Sequence, residues 1–339
     1  METAPPPPTR LRASVVIPNW NGLEHLPGCL EALEAQTMRA FEIVLADNGS
    51  EDGSLAYLAE RWPGVRVVAL GCNLGFPAAC NAGIVASTGD YVVLLNNDTA
   101  AEADWLEQLV AAMDAHPDFS WGSSRLVRYD DPATIDSAGH TYSIWVGAAH
   151  NIGEGEPATA HASGGRVFGA TAAASIYRRT LFDDIGLFDE EFFFIHEDTD
   201  LDLRANIAGH RCLYVPEAVV RHKRGASYEV DPRIHLMGVR NRIWATRSLP
   251  PGALFLWVAT KLLRALRWIP SRLLGRRTSQ RTSASAWSDV APKEVFRASL
   301  DALRTLPRKR REVAATRRLD SVQFLRVLSE TRSAARSNQ

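Results

Sequence analysis

The sequence predicts an α/β fold: a mostly parallel sheet flanked by helices, with a basic helical extension at its C-terminal end. Three observations predict it. Short apolar runs and helix-periodic segments alternate four times before residue 96, joined by short links. Two of those runs stop at an acid, Asp47 and Asp98, where an open sheet would meet its ligand. Charge is divided along the chain. Residues 1–220 hold 12 arginines, no lysine and 31 acids, a net of −19; residues 221–339 hold 26 basic residues against 8 acids, a net of +18.

The first strand is the apolar run at 14–18, closed by Pro18. Leu23, Leu26, Leu30 and Leu33 then recur at helical spacing, which predicts a helix over 23–36. A second strand at 41–46 runs into Asp47-Asn48-Gly49-Ser50, and a helix at 54–61 leads to a third strand at 65–70. The loop 71–77, a small-residue helix at 78–87 and a fourth strand at 91–95 complete the alternation. Right-handed crossovers put the C-terminal ends of these strands on one edge, so Asp47 and Asp98 are expected to share a rim. After a helix at 102–115 the pattern loosens. Residues 129–166, punctuated by Gly, Ser, His and Asp, read as an irregular stretch suited to a substrate wall or lid. Regularity returns at 167–177, in a helix at 198–208 and in late strands at 213–215 and 218–221. Residues 1–12, with prolines at 5 to 8, read as a disordered lead-in, 13–247 as the α/β domain and 248–339 as the basic helical region.

Cys29, Cys72, Cys80 and Cys212 lack CxxC or zinc-like spacing, which fits a reducing, cytoplasmic compartment better than a disulfide framework. No secretory signal is expected at the N-terminus, and no run of 18 apolar residues predicts a membrane span.

Several segments carry residues able to do chemistry. The Asp47–Gly53 loop offers carboxylates and backbone N–H groups at a helix start, which suits phosphate or a base edge as well as a plain capped turn. Asn73-Leu74-Gly75-Phe76 and Asn81-Ala82-Gly83 bring small or amide residues where backbone approaches a ligand, or where a helix packs on a sheet; GxGxxG is absent. Asp98 closes Leu94-Leu95-Asn96-Asn97 as an oxygen ligand for a divalent cation or as a turn residue. His196-Glu197-Asp198-Thr199-Asp200-Leu201-Asp202 follows an apolar Phe-Phe-Phe-Ile stretch, whose surroundings would raise a carboxylate toward the range of a general base; the same acids would serve as a cap and dipole partners, with Asp200 pairing Arg204. His222 closes a Val-rich strand and is a metal-ligand candidate, with Lys223 and Arg224 beside it to meet a diphosphate or solvent.

Taken together these motifs resemble the family 2 inverting glycosyltransferases with the GT-A fold, particularly the bacterial rhamnosyltransferase-like branch. The likeness runs from about residue 13 to 247. It covers Val15 to Gly22, Asp47 to Ser50, Asn73 to Phe76, Asn81 to Gly83, Leu94 to Asp98, Gly186 to Glu190, Phe193 to Arg204, His222 and Arg240-Asn241. The resemblance implies a nucleotide-sugar donor contacted by Asp47, Asn48, Asn73, Asn81 and Asn97, with Asp47 on the base. It implies a divalent cation, Mg²⁺ or Mn²⁺, on Asp98 and His222, and Asp198 as catalytic base. The metal motif reads Asn96-Asn97-Asp98 and lacks the first carboxylate usual in the family, a form similar to that branch. Ser137 to His140 with Trp145-Val146-Gly147 resembles the acceptor side of rhamnosyltransferases, so dTDP-L-rhamnose is the favoured donor, ahead of UDP-hexoses or UDP-galactofuranose. A glycan or lipid-linked acceptor follows.

A nucleotidyltransferase would need a Gly-rich basic phosphate loop near the first strand, where Pro18-Asn19-Trp20-Asn21-Gly22 stands. A non-catalytic sugar-nucleotide-binding scaffold is the reading from another class, disfavoured by Asp98, Asp198 and His222 together. In the tail, Thr260, Lys261, Arg264, Arg267 and Ser271 form one stripe with Leu, Trp and Ile elsewhere. Such a helix suits an anionic membrane surface, with Arg272, Arg276, Arg277, Arg281 and residues 308–311 extending the charge. Packing on the catalytic domain is the alternative. Nucleic acid is not expected, since no recognition motif accompanies the charge.

Overall fold

A computed structural model describes residues 10–223, 233–261 and 292–337. Most of the proline-rich lead-in, Arg224, and the tail stripe beyond Lys261 with Arg272, Arg276, Arg277 and Arg281 lie outside the described residues.

The predicted alternation is present. Strands β1 (Ala13–Asn19), β2 (Phe41–Asp47), β3 (Arg66–Ala69) and β4 (Tyr91–Leu95) are linked by helices α1 (Leu26–Glu34), α2 (Ser54–Arg61) and α3 (Phe76–Ala86). They pair in parallel in the order β3-β2-β1-β4. The strands continue through β5 (Thr99–Ala101), β6 (Trp121–Arg128), β7 (Ile135–Ser137), β8 (His140–Ser143), β9 (Ala148–Asn151), β10 (Gly165–Val167), β11 (Ala174–Arg178) and β12 (Cys212–His222), with α4 (Trp105–Ala115), α5 (Arg179–Ile185) and α6 (Glu197–Ile207) between them. The mixed sheet runs β10-β12-β6-β11-β4-β1-β2-β3, with β5 on β12 and β7 on β6, while β8 and β9 form a separate hairpin.

Side-chain alternation divides the core. Ala13, Val15 and Ile17 of β1 and Tyr91, Val93 and Leu95 of β4 face α1 and α4. Val16, Val92 and Leu94 face the other way, toward α3, α5 and α6. Both faces of the sheet are therefore covered, as near-continuous apolar strands require.

Three features depart from the sequence expectation. The regular stretch at 167–177 splits: Val167 ends β10 at the sheet edge, while β11 inserts antiparallel between β4 and β6. The irregular stretch at 129–166 holds three short strands, β7, β8 and β9, and the start of β10. The two late strands are one, β12, whose pairing with β6 shifts between Val215 and Val219 around Pro216, a residue a ladder tolerates only at such a break.

Helix α7 (Arg233–Ala245), within the 13–247 span, is followed by the C-terminal extension, a helix at 251–261 (α8), α9 (Pro292–Glu312) and α10 (Ser321–Ser337). Their apolar residues share a third core with Tyr142, Phe168 and Phe192. The basic run at 308–311, expected to extend an outward patch, does so only in part: Arg308 and Arg311 are exposed, while Lys309 and Arg310 turn inward. Lys309 is buried, its Nζ 2.6 Å from Asp189 and 3.2 Å from Glu191. Arg308 pairs with Glu191 and Glu312, and Arg310 donates to the carbonyls of Arg247 and Leu249. The acidic body attracts this part of the tail, which explains some of the charge split. Among the described residues no helix is long and apolar enough to cross a membrane.

Candidate active site

The order β3-β2-β1-β4 makes β1 the strand at which chain direction across the sheet reverses, and the crevice beyond its C-terminal end is where such sheets bind ligands. Asn19, the last residue of β1, sits at that point. Its Nδ2 donates to Asp47 Oδ1 at 3.3 Å and to Ser50 Oγ at 3.1 Å, while its Oδ1 accepts from Asn97 Nδ2 at 2.7 Å. One buried amide thus ties the rim of β2 to the rim of β4. Asp47 also accepts from the Ser50 N–H.

Asn48 and Asn73 shape the adjoining loop. Asn48 Nδ2 donates to Asn73 Oδ1 at 2.9 Å and to the Gly75 carbonyl, and its Oδ1 accepts from the Leu74 N–H. Gly75 has φ of 93°, and a Cβ there would lie 2.5 Å from the Phe193 carbonyl oxygen, so only glycine fits. Asn81 makes no opening toward the rim. It donates to the Phe188 carbonyl and Glu190 and accepts from the Phe188 N–H, locking α3 to the turn before α6.

Asp98 and His222 meet because β5 pairs antiparallel with β12, setting Thr99 opposite His222. Asp98 Oδ1 is buried without a hydrogen-bond partner, and His222 Nε2 lies 3.6 Å from it, too far for a hydrogen bond. Burial raises the Asp98 carboxyl above its ordinary range, opposed by His222. His222 Nδ1 lies 2.8 Å from Asp136 Oδ2, so this nitrogen donates to the carboxylate and Nε2 is the nitrogen that faces Asp98. Lys223 donates its backbone N–H to the Asp98 carbonyl and lays its ammonium over the Tyr129 ring.

Among the described residues no group of three or more His, Cys, Asp or Glu is arranged to hold a metal. The donors present still fit a divalent cation. An orphaned buried carboxylate oxygen faces an imidazole held by a second carboxylate, and Mg²⁺-type ions commonly take one or two protein ligands with phosphates and water completing the shell.

The acids of α6 separate by partner. Asp200 pairs with Arg204 and Arg247, and Asp202 with His140, Trp121 and the Ala170 N–H. These two hold structure. Glu197 is buried against Cys80, and desolvation and then the neighbouring Asp198 charge push it up to about 8. Burial likewise raises Asp202 to about 6. The upward shift that the apolar surroundings led one to expect is thus found at Glu197 and Asp202. Asp198 is only half-buried, and its Oδ1 accepts from the Thr199 N–H at 2.6 Å.

The loop feeding α6 is held in an uncommon backbone conformation. Phe193, Ile195 and His196 have φ of 64°, 68° and 69°, each costing about 1–3 kcal/mol. Buried Asn241 of α7 holds it, its Nδ2 lying 2.8 Å from each of the Phe192, Phe194 and Ile195 carbonyl oxygens. Arg240 donates to the Glu191 and Phe192 carbonyls. The Phe193 carbonyl accepts from the Phe76 N–H, so this loop also abuts the Asn73–Phe76 loop.

Sequence reasoning missed Asn19, Asp136 and Asn241 as working residues. Asn19 and Asn241 stood inside recognised motifs without a role. Asp136 carried no signal, since it lies in the irregular stretch and meets His222 only through folding.

The glycosyl transferase family 2 pattern matches residues 14–186, just over half of the chain. The chain belongs to glycosyl transferase family 2. It is 31% identical over 252 residues to the N-acetylglucosaminyl-diphospho-decaprenol L-rhamnosyltransferase of Mycobacterium tuberculosis, a match covering 66% of this chain and 79% of that protein. It is 28% identical over 230 residues to the O-antigen biosynthesis protein RfbC of Myxococcus xanthus, covering 65% of this chain and 18% of that one. In structure it resembles GalNAc-T7, crystallised with UDP, GalNAc and Mn²⁺, with a TM-score of 0.63 at 16% identity, covering 96% of this chain and 58% of that one. The fold is that of a GT-A glycosyltransferase, and this family 2 member is a glycosyltransferase enzyme of the rhamnosyltransferase-like kind.

Proposed function

We propose that the protein is a metal-dependent, inverting glycosyltransferase that moves L-rhamnose from dTDP-rhamnose to a lipid-linked or polysaccharide acceptor of the cell envelope. The observation that carries the metal-dependent reading is the pair Asp98 and His222, 3.6 Å apart, one with an orphaned buried oxygen and the other oriented by Asp136. The rhamnosyltransferase of M. tuberculosis supports the sugar, and its named acceptor, a diphospho-decaprenol, supports the lipid link.

On this reading Asp47 and the loop held by Asn48 and Asn73 receive the nucleoside, and Asn97 helps shape the rim through Asn19. Asp98 and His222 would hold a Mg²⁺ or Mn²⁺ ion, which when bound offsets charge developing on the leaving diphosphate. Asp198 takes the proton of the acceptor hydroxyl as that oxygen attacks the anomeric carbon from the face opposite the diphosphate. The new glycosidic bond forms as the bond to the diphosphate breaks, and configuration inverts in a single displacement. Asn81 fixes α3 to the 188–190 turn and acts on the site only through that support.

The test is nucleoside diphosphate release by purified protein across dTDP-rhamnose, UDP-hexoses and UDP-galactofuranose, with and without Mn²⁺. Preference for dTDP-rhamnose and loss of release with chelator are expected. Equal rates without a divalent ion would remove the metal, and release only from a UDP-sugar would replace the donor. A site of action beside a membrane follows from the lipid-linked acceptor, and salt-sensitive flotation with anionic vesicles tests it; the cytoplasmic face is the one that the scattered cysteines favour.

A further inference from the structure

A second set of polar side chains next to Asp198 has no role in donor binding. Arg242 on α7 is half-buried, and its Nε is buried without a partner. No hydrogen bond or ion pair engages it among the described residues, although Arg240 and Arg247 beside it are fully engaged. Tyr142 of β8 is 1% exposed, and its Oη is also buried without a partner. Two orphaned donors in one neighbourhood are unfavourable unless an acceptor arrives. His150 on β9 and His196 before α6 complete the group. Burial, then the Arg242 charge, lowers both imidazoles, His196 to about 4. His196 and His140 in turn feel Asp198, so the cluster adjoins the base.

The hairpin that carries Tyr142 and His150 continues into an apolar groove. Ile144 and Trp145 at its turn, Leu256 of α8 and Leu325 and Leu328 of α10 line a cavity of about 360 Å³, with Arg332 at its rim. Trp145 is 55% exposed. Donors at one end of a hairpin and an apolar groove at the other match an amphiphile with an anionic head.

We propose that Arg242, Tyr142, His150 and His196 bind the diphosphate of the acceptor, and that the groove beside Ile144 and Trp145 receives the apolar chain attached to it. The inference rests on the proposed lipid-linked acceptor and on Asp198 as base. A nucleotide diphosphate is the other source of the same chemistry. It fits less well, because the groove is apolar and the cation pair Asp98 and His222 belongs to a separate strand pairing.

The experiment is calorimetric titration of the full chain with farnesyl diphosphate, inorganic pyrophosphate and dTDP. Arg242→Gln is expected to weaken farnesyl diphosphate about ten- to a hundredfold, the loss of a charged hydrogen-bond donor, and to leave dTDP unchanged. Tyr142→Phe removes one hydroxyl and should weaken farnesyl diphosphate several-fold even if Arg242→Gln fails to fold. Trp145→Ala should weaken farnesyl diphosphate but not pyrophosphate. Absence of farnesyl diphosphate binding by the wild type, unchanged binding in both Arg242→Gln and Tyr142→Phe, or an equal loss of dTDP would overturn the proposal. Donor turnover measured separately distinguishes this from failure of the glycosyltransferase reading: a protein that cleaves no sugar nucleotide but binds farnesyl diphosphate through Arg242 loses only the latter reading.

Discussion

His222 Nδ1 and Asp136 Oδ2 lie 2.8 Å apart, and this contact decides which way the imidazole presents its other nitrogen. Nε2 faces Asp98 as a result. A carboxylate behind a ligating histidine fixes its tautomer and raises its basicity, and removing it commonly lowers metal affinity ten- to a hundredfold.

Asp136→Asn is therefore expected to shift the Mn²⁺ dependence of donor cleavage to about tenfold higher metal or more, with turnover at saturating metal largely kept. Asp98→Asn should abolish the metal response. An unchanged metal titration in Asp136→Asn would show that the contact only packs the strand.

Asp198→Asn keeps the shape of the α6 start and its contact with Thr199, but removes the proton acceptor. Turnover should fall by about 10²–10⁴ while the dTDP dissociation constant stays within a factor of two or three. Turnover at the wild-type rate would transfer the base role elsewhere in the cluster.

These roles were unequally legible in the sequence. The shared rim of Asp47 and Asp98 follows from strand and helix periods alone, because the crossover rule leaves strand ends nowhere else to go. The resemblance set His222 beside Asp98, and the β5–β12 pairing brings them within 3.6 Å; Asp198 as base rests on the resemblance. Asp136 was not legible: it is 86 residues from His222, and only the β6–β7 pairing brings it near. Nor was the strain at Phe193, Ile195 and His196, since a Phe-Phe-Phe-Ile run reads as ordinary core. The inward turn of Lys309 was hidden because charge counts do not say which acids lie opposite.

Asn241 offsets that strain with hydrogen bonds to three carbonyls. Asn241→Ala would leave buried carbonyls unpaired and should destabilise the protein by about 2–4 kcal/mol. Donor turnover should fall more than dTDP affinity, since the loop leads to Asp198. Chemical denaturation and a kcat-against-KM comparison check both parts; a stability loss with kcat intact would confine Asn241 to folding.

Lys309 is a buried cation among Asp189, Glu191 and Glu312. Lys309→Ala leaves those acids without their central cation and should cost about 3–5 kcal/mol, whereas Arg311→Ala, on an exposed arginine, should change stability by less than about 0.5 kcal/mol. Comparable urea midpoints for the two variants would mean that α9 docks through its apolar face alone.

Glu197 gives the stability a pH dependence of known sign. Its carboxyl is raised from 4.5 to about 8 by burial and by Asp198. Below about pH 4.5 both folded and unfolded chains hold the proton, and its contribution to stability is fully present. Between 4.5 and 8 the unfolded chain releases a proton that the folded protein keeps, so stability falls as pH rises, by at most ~1.4 kcal/mol per pH unit. Above 8 both forms are ionised and the slope disappears. Glu197→Gln cannot titrate, while Asp202 and His140 titrate in both proteins and cancel from the difference. Urea unfolding at pH 5, 7 and 9 should therefore show the variant gaining on the wild type with each step up in pH; two parallel curves would mean that Glu197 ionises without penalty in the folded protein.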